Sequence, residues 1–386
     1  MRTVVLGPAP PLRGGIAAHT RGLHRALTDR GWDCEVFSYS RLYPHRLFPG
    51  RRQTHGNVEL GAALLDTMRP GSWRSTADSL IAFSPEVCLV QWWHPAVAPA
   101  LVSILNRTQQ EIGPVPFVVV CHNLVPHERF PASRMLTSWV LSKATGVLCH
   151  SCSVAGQVAE RFPSVAVKSS PMPILLDSSS FPGTRARRDA RRNLGLQDGQ
   201  PTALFLGHAR PYKGLDLLVR AWADARLPSD ARLLIAGESY LGRGRVGRML
   251  ASHPKAGSIQ VEDRYLGDGE LGSFLAAADV LVAPYRSASQ SGVIPMAVAA
   301  GLRVIASDAG GLAEALPGGR RHAVVRAGDS GSLALVLEDY LGTGYLPAAG
   351  ADPLGQERDK SADTVKKSWL EVVEALNTLL GLIEGG

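Results

Sequence analysis

Short apolar runs alternate with helical stretches along both halves of this chain, and that alternation restricts it to a parallel α/β architecture. DVLVAPY (Asp279 to Tyr285) is a continuous apolar run of the length of a strand buried on both faces. The polar loop SASQSG follows, then the helical stretch VIPMAVAA, opened by Gly292 and closed by Gly301, then RVIASD (Arg303 to Asp308) as the next strand. In the first half, VVLG (Val4 to Gly7), CEVFSYS, VCLVQWW (Val87 to Trp93), VPFVVVCHN (Val115 to Asn123) and GVLCHS (Gly146 to Ser151) read the same way, with helices between them. A further helix is expected over GNVELGAALLDTMR, inside an otherwise irregular Arg41 to Thr76. Strand–helix alternation in both halves predicts an α/β fold of two doubly wound parallel sheets with right-handed crossovers. In such sheets, loops that run from a strand's carboxyl end into a helix collect ligands, phosphorylated ones among them.

At 386 residues the chain exceeds one core, and two domains of about 150 to 200 residues are expected. The composition changes after Asp177. SSSFPGTRARRDARRNLGLQDGQP is poor in apolar residues and holds clustered arginines (Arg185, Arg187, Arg188, Arg191, Arg192). The expected division is therefore a first domain over 1–178, a connection over 179–200, a second domain over 201–362 and a terminal helix over 363–386. The arginine run reads as a solvated helix face or as an attractor of anionic lipid or acceptor. No apolar run reaches the ~20 residues that span a bilayer, and the N-terminus reads as a strand rather than a signal peptide, so a cytoplasmic location is expected.

The five cysteines are odd in number. Cys149 and Cys152 form a lone C-x-x-C with no second pair to complete a zinc site, and no metal is expected. The net charge of +7 suits phosphorylated substrates, nucleic acid or an anionic membrane surface, at whose inner face the chain would be peripheral. Nucleic acid ranks last, because no recognition motif for it appears. A dinucleotide-dependent dehydrogenase is disfavoured, since no G-x-G-x-x-G follows the first strand.

Candidate ligand-binding residues gather at predicted strand ends. Gly14 and Gly15 allow close approach of backbone to a ligand at a helix start. His122 and Asn123 end one strand; Trp93, beside Trp92, faces either a cleft or the core. Arg210 and Lys213, three residues apart after a buried strand, combine a bidentate phosphate clamp with a point charge.

Four segments together resemble the family 4 glycosyltransferases. They are the Tyr285 to Glu314 block, GHARPYKGLDLLVRAW (Gly207 to Trp222), PPLRGGIAAHTRGL (Pro10 to Leu23) and VVCHNLVPHE (Val119 to Glu128). The resemblance implies a GT-B fold: two Rossmann-like domains facing a central cleft, with the C-terminal helix, TVKKSWLEVVEALNTLLGLI, crossing back to the first. It implies a retaining transferase that moves a hexose-type sugar from a nucleotide-diphosphate donor to a hydroxyl acceptor. That donor is a co-substrate, and no cofactor or metal is called for. Arg210, Lys213 and His122 would be catalytic. Gly14, Gly15, Gly207, Gln290, Ser291, Gly292, Glu238, Arg264 and Tyr265 would bind the donor and its phosphates. His19, Asn123 and Trp93 would lie on the acceptor side. The family's two glutamates, seven residues apart, fall here on Ala288 and Met296, neither acidic, so the chain resembles a variant Gln-Ser-Gly subgroup. A non-catalytic partner of the same fold, or a sugar-nucleotide epimerase, is the alternative.

Overall fold

The computed structural model describes residues 1–43, 50–56, 58–126, 128, 130–181, 184–242, 244–319, 321–342 and 361–385. The chain divides into two compact units, Met1–Leu175 with Lys367–Gly386, and Leu176–Lys366.

The first unit is built on seven strands: β1 (Arg2–Leu6), β2 (Asp33–Arg41), β3 (Ala62–Asp66), β4 (Val87–Trp92), β5 (Phe117–Cys121), β6 (Gly146–Cys149) and β7 (Ala166–Ser169). They lie in the order β3-β2-β1-β4-β5-β6-β7, all parallel. Parallel pairing requires a crossover after each strand, and covering helices bury both faces. That is why β5 is apolar along its whole length, β4 is apolar but for Gln91, and both are fully buried. The crossovers include α1 (Gly15–Thr28), α2 (Pro70–Phe83), α3 (Ala98–Ile112), α4 (Ser133–Leu141) and α5 (Cys152–Arg161). The C-terminal helix (Ser361–Glu384) lies against this unit from Lys367 onward. Gly146 sits under Leu379 and Ile383 of that helix, where an added Cβ would crowd both side chains.

The helix expected over GNVELGAALLDTMR is instead strand β3, and the helix of this region starts later, at Pro70. Gly61, at φ +75°, packs onto the backbone of Val36 too closely to admit a Cβ, and this contact starts β3 alongside β2. Half of β3 is exposed, as an edge strand's short apolar run is, which removes the period-two signal that would have marked it.

The second unit holds β8 (Thr202–Leu206), β9 (Arg232–Ala236), β10 (Ile259–Glu262), β11 (Val280–Ala283), β12 (Arg303–Ser307) and β13 (Ala323–Val325). Their order is β10-β9-β8-β11-β12-β13, again all parallel. Its helices are α6 (Thr184–Asn193), α7 (Leu215–Asp224), α8 (Arg245–Ala251), α9 (Asp268–Ala277), α10 (Val293–Ala299) and α11 (Ser330–Leu341). α8 carries no clear sequence signal and is not anticipated. The loop expected over Gly342 to Lys360 lies, beyond Gly342, outside the described residues.

The arginine-rich stretch does more than face solvent. Arg187 donates to the carbonyls of Ala276 and Ala278 at 2.9 and 2.8 Å and to Asp279 Oδ1 at 2.5 Å. Arg191, buried, donates to the carbonyls of Ala277, Gln197 and Gln200. Two guanidinium groups thus satisfy the open carbonyls at the C-terminus of α9, where the helix dipole favours cations. Arg188 and Arg192 are exposed, and the Arg185 side chain lies outside the described residues.

Candidate functional site

Each sheet reverses its strand order once, between β1 and β4 in the first and between β8 and β11 in the second. The crevice outside the carboxyl ends at such a reversal is where open α/β sheets bind ligands.

In the second unit this point carries most of the anticipated donor residues. Gly207 follows β8 at φ +101°, and a Cβ there would come within 3.2 Å of Lys213 Nζ. Gly214, at φ +67°, packs against the Pro284 carbonyl so tightly that no side chain fits. This glycine draws the Arg210–Lys213 turn onto the loop that leaves β11. Arg286 fastens the same two segments: its N–H donates to the Tyr212 carbonyl at 2.6 Å, and its guanidinium makes a bidentate pair with Asp216 at 2.7 and 2.6 Å. Arg210 lies over the Tyr240 ring at 4.8 Å, and Lys213 Nζ over Tyr285 at 5.3 Å. Lys213 has no carboxylate partner among the described residues. Burial pushes its pKa below the usual lysine value, and the Arg210 charge pushes the same way. A buried lysine without a carboxylate partner, held beside an arginine, forms a receptor for an anion.

The other donor residues divide. Gln290 is half-buried, and Ser291 is buried, its Oγ accepting from the Val293 N–H at 3.3 Å. The Tyr285 hydroxyl bonds to Ser291, although burial still raises its pKa to about 12. Gly292 precedes α10, and Gly310, at φ +54°, packs on the Ala288 carbonyl and holds this polar loop in place. Glu238 is buried, and its backbone carbonyl accepts from Ala209 at 3.1 Å. Arg264 is bound to Glu262 and Glu270 at 2.6 and 2.5 Å, so its charge is already balanced within the unit. Tyr265 lies 6.1 Å from His208, which stacks on Tyr240 at 4.8 Å. The sequence reading passes over His208, Tyr240, Tyr285 and the Asp216–Arg286 clamp. Tyr285, the last residue of an apolar run and the first before a polar loop, is the one whose position could have given it away. Met296, at the place of the family's second glutamate, is buried and apolar.

The first unit presents a different arrangement. His19 and His122 are buried and are joined by His150, which sequence reading misses. His19 comes from α1, His122 follows β5 and His150 follows β6. The ring centroids of His19 and His122 lie 4.7 Å apart, and those of His19 and His150 4.8 Å apart. His19 Nε2 is 2.8 Å from His150 Nε2, and His122 Nε2 is 2.5 Å from Gln91 Oε1. Burial holds all three below the usual histidine range, His150 at about 4. Gly14, at φ +108°, precedes α1 and has open space around it, and Gly15 begins that helix. Trp92 is buried in the core, whereas Trp93 is half-buried and donates to the Tyr43 hydroxyl at 3.1 Å. Asn123 donates to the Trp93 carbonyl at 3.3 Å. Among the described residues no group of three or more His, Cys, Asp or Glu side chains is placed to hold a metal ion, and no helix is long and apolar enough to cross a membrane.

Residues 13–171 match the family model described as Glycosyltransferase Family 4, and residues 200–342 match that of Glycosyl transferases group 1. The D-inositol 3-phosphate glycosyltransferase of Streptomyces scabiei is 28% identical over 256 residues, covering 64% of this chain and 57% of that protein. The chain spans about half the length of the first curated relatives it matches. Among solved structures, sucrose-phosphate synthase from Thermosynechococcus elongatus superposes with a TM-score of 0.74 at 17% identity, over 99% of this chain and 100% of the other. The Anabaena protein HepE, in complex with UDP-glucose, superposes with a TM-score of 0.71 at 14% identity over 100% of both chains. These two likenesses are of fold.

Proposed function

Because the chain belongs to the family 4 glycosyltransferases, with the GT-B fold, we propose that it is a retaining hexosyltransferase. It takes a nucleotide-diphosphate sugar as donor and a hydroxyl group of a glycan, glycolipid or small metabolite as acceptor. The observation that carries this reading is Lys213, without a counter-charge, beside Arg210 at the reversal point of the second sheet. A diphosphate supplies the missing charge. As the sugar–phosphate bond breaks, more negative charge develops on the leaving oxygen, and fixed cations stabilise it more than they stabilise the ground state. Gly207 leaves room for the phosphates, and the polar Ser287–Ser291 loop adds hydroxyl and amide donors. His122 lies beside the transferred sugar in this reading, and no cofactor or metal takes part. The basic surface suits peripheral attachment to an anionic membrane carrying the acceptor.

A panel of UDP-, GDP- and ADP-hexoses, screened by thermal shift and then by release of nucleoside diphosphate with acceptors, tests it. Absence of a melting-temperature rise with every donor refutes it. Met296 and Ala288, where relatives of this family place glutamates, favour a second reading: a GT-B subunit that binds donor without turning it over. Calorimetric binding with no transfer or hydrolysis across the acceptor panel selects that reading instead.

A further inference from the structure

Aromatic side chains gather past the carboxyl ends of β2 and β4, the strands on either side of β1. Tyr39 belongs to β2, Tyr43 follows that strand, Trp93 and His94 follow β4, and Phe130 lies between β5 and α4. The rings of Tyr39 and Trp93 are 5.6 Å apart at 85°, those of Tyr43 and His94 6.1 Å apart at 88°, and those of His94 and Phe130 4.9 Å apart at 76°. These are edge-to-face pairs, in which the positive rim of one ring meets the negative face of the other. Tyr39 is buried, whereas Tyr43, Trp93, His94 and Phe130 are half-buried and so reach solvent.

The polar atoms of this corner are turned on one another and on the backbone. The Trp93 indole N–H donates to the Tyr43 hydroxyl at 3.1 Å. Gln53 grips the Tyr43 backbone, its Oε1 accepting from the N–H at 3.3 Å and its amide donating to the carbonyl at 2.8 Å. The Trp93 carbonyl accepts from Asn123, and His94 Nδ1 accepts from the Ala96 N–H at 3.2 Å. Tyr43 and Trp93 are thus fixed in place, and ring surface that is already ordered loses little conformational entropy when a ligand binds. Arg41, the last residue of β2, is paired with Asp66 at 2.7 Å, so its charge is balanced and a phosphate gains little from it.

We propose that Tyr43, Trp93, His94 and Phe130 form the platform on which the acceptor lies, and that they select an uncharged ring with an apolar face, either the C–H face of a pyranose or an aryl group. The assignment to an acceptor rests on the transferase reading above; the preference for a neutral ring rests on the corner alone. The C–H bonds on one face of a pyranose carry weak positive charge and pack against the negative face of an aromatic ring, as an aryl edge does. Among the acceptor classes named above, a glycan, the sugar of a glycolipid or an aryl-bearing metabolite fits this surface, and a phosphorylated metabolite does not.

Tryptophan fluorescence reads the contact without any transfer, and the difference between the unmodified protein and Trp93→Phe isolates the signal of Trp93. The probes are cellotriose for pyranose faces, 2-phenylethanol for an aryl group, inositol phosphate for an anionic ring and UDP for a nucleobase. A saturable change at Trp93 is expected with cellotriose or with phenylethanol, and the tighter binder names the source of the ring. No saturable change with either overturns the platform, as does tighter binding of inositol phosphate or an equal response to UDP alone. Where a neutral probe is also glycosylated, Trp93→Ala should raise its KM about tenfold or more while donor KM moves by about twofold at most. Phe130→Leu, which keeps bulk but removes a ring, should act in the same direction and serves if Trp93→Ala does not fold. Equal changes in acceptor and donor KM reject the platform. A donor panel that raises no melting temperature refutes the transferase reading, and the titration then still decides whether a neutral ring binds this corner.

Discussion

The indole N–H of Trp369 donates to the carbonyl of Ile174 at 3.0 Å, and the N–H of Ile174 returns a bond to Ser368 Oγ at 3.2 Å. The chain leaves the first unit just after Leu175 and rejoins it at Lys367, so its exit and its return are fastened to each other. Gly22 of α1 makes room for this lock, because a Cβ there would collide with the indole ring.

Trp369→Ala removes a large buried side chain and leaves the Ile174 carbonyl unbonded, which should cost about 3–5 kcal/mol of first-unit stability. Gly22→Ala should act in the same direction by displacing the ring. Urea unfolding followed through the first unit measures both, and a loss below about 1 kcal/mol in Trp369→Ala would contradict the lock.

Acid should weaken the first unit through its histidines. The folded protein holds His19, His122 and His150 below their ordinary pKa of 6.5, His150 at about 4. The unfolded chain therefore binds protons first as pH falls. The stability held by the neutral rings is complete above pH 6.5 and is lost between there and about pH 4. At about 1.4 kcal/mol per unit, the His150 shift alone amounts to about 3 kcal/mol. A denaturation midpoint that stays flat over this window would show that the rings are not buried as neutral groups.

Removing the paired cations should abolish transfer. One fixed charged contact to the leaving group is worth about 2–4 kcal/mol in the transition state, so Arg210→Ala with Lys213→Ala should lower kcat/KM by several orders of magnitude. Lys213→Met should also raise the melting temperature of the ligand-free protein, since it removes an uncompensated cation, while erasing the stabilisation by nucleoside diphosphate. Turnover that survives in the double variant would dissociate these residues from catalysis.

Gly214→Ala should disturb the same place without touching a charge. Its backbone at φ +67° and its contact with the Pro284 carbonyl both exclude a side chain. A loss of about 1–3 kcal/mol is expected from the strain, together with weaker nucleoside diphosphate binding as Lys213 moves off Tyr285. Calorimetry and thermal denaturation check the two effects together.

The strands of both sheets were legible because parallel strands buried on two faces are uninterrupted apolar runs, as in Val118–Cys121 and Val280–Ala283. β3 was not, because an edge strand half in solvent carries only AALLD and no alternation. Arg210 and Lys213 were legible from spacing, which places two cations in one turn after a strand. His150 was not, because a histidine at a strand end gains meaning only when His19, from a helix 131 residues earlier, meets it. The pairing of Arg264 with Glu262 and Glu270 was not legible either, although both are near it in sequence, because only the loop's path turns them toward it.

The attachment of α6 to Asp279 settles where the second lobe begins as a folding unit. A fragment cut at Thr202 would strip the guanidinium covers from the end of α9 and abandon an acidic group beside three bare carbonyls. Cut upstream of the helix, the same lobe would keep its buckle. A run of arginines that looks in sequence like bait for lipid is in part masonry, and any lure for a membrane is left to exposed neighbours such as Arg188 and Arg192.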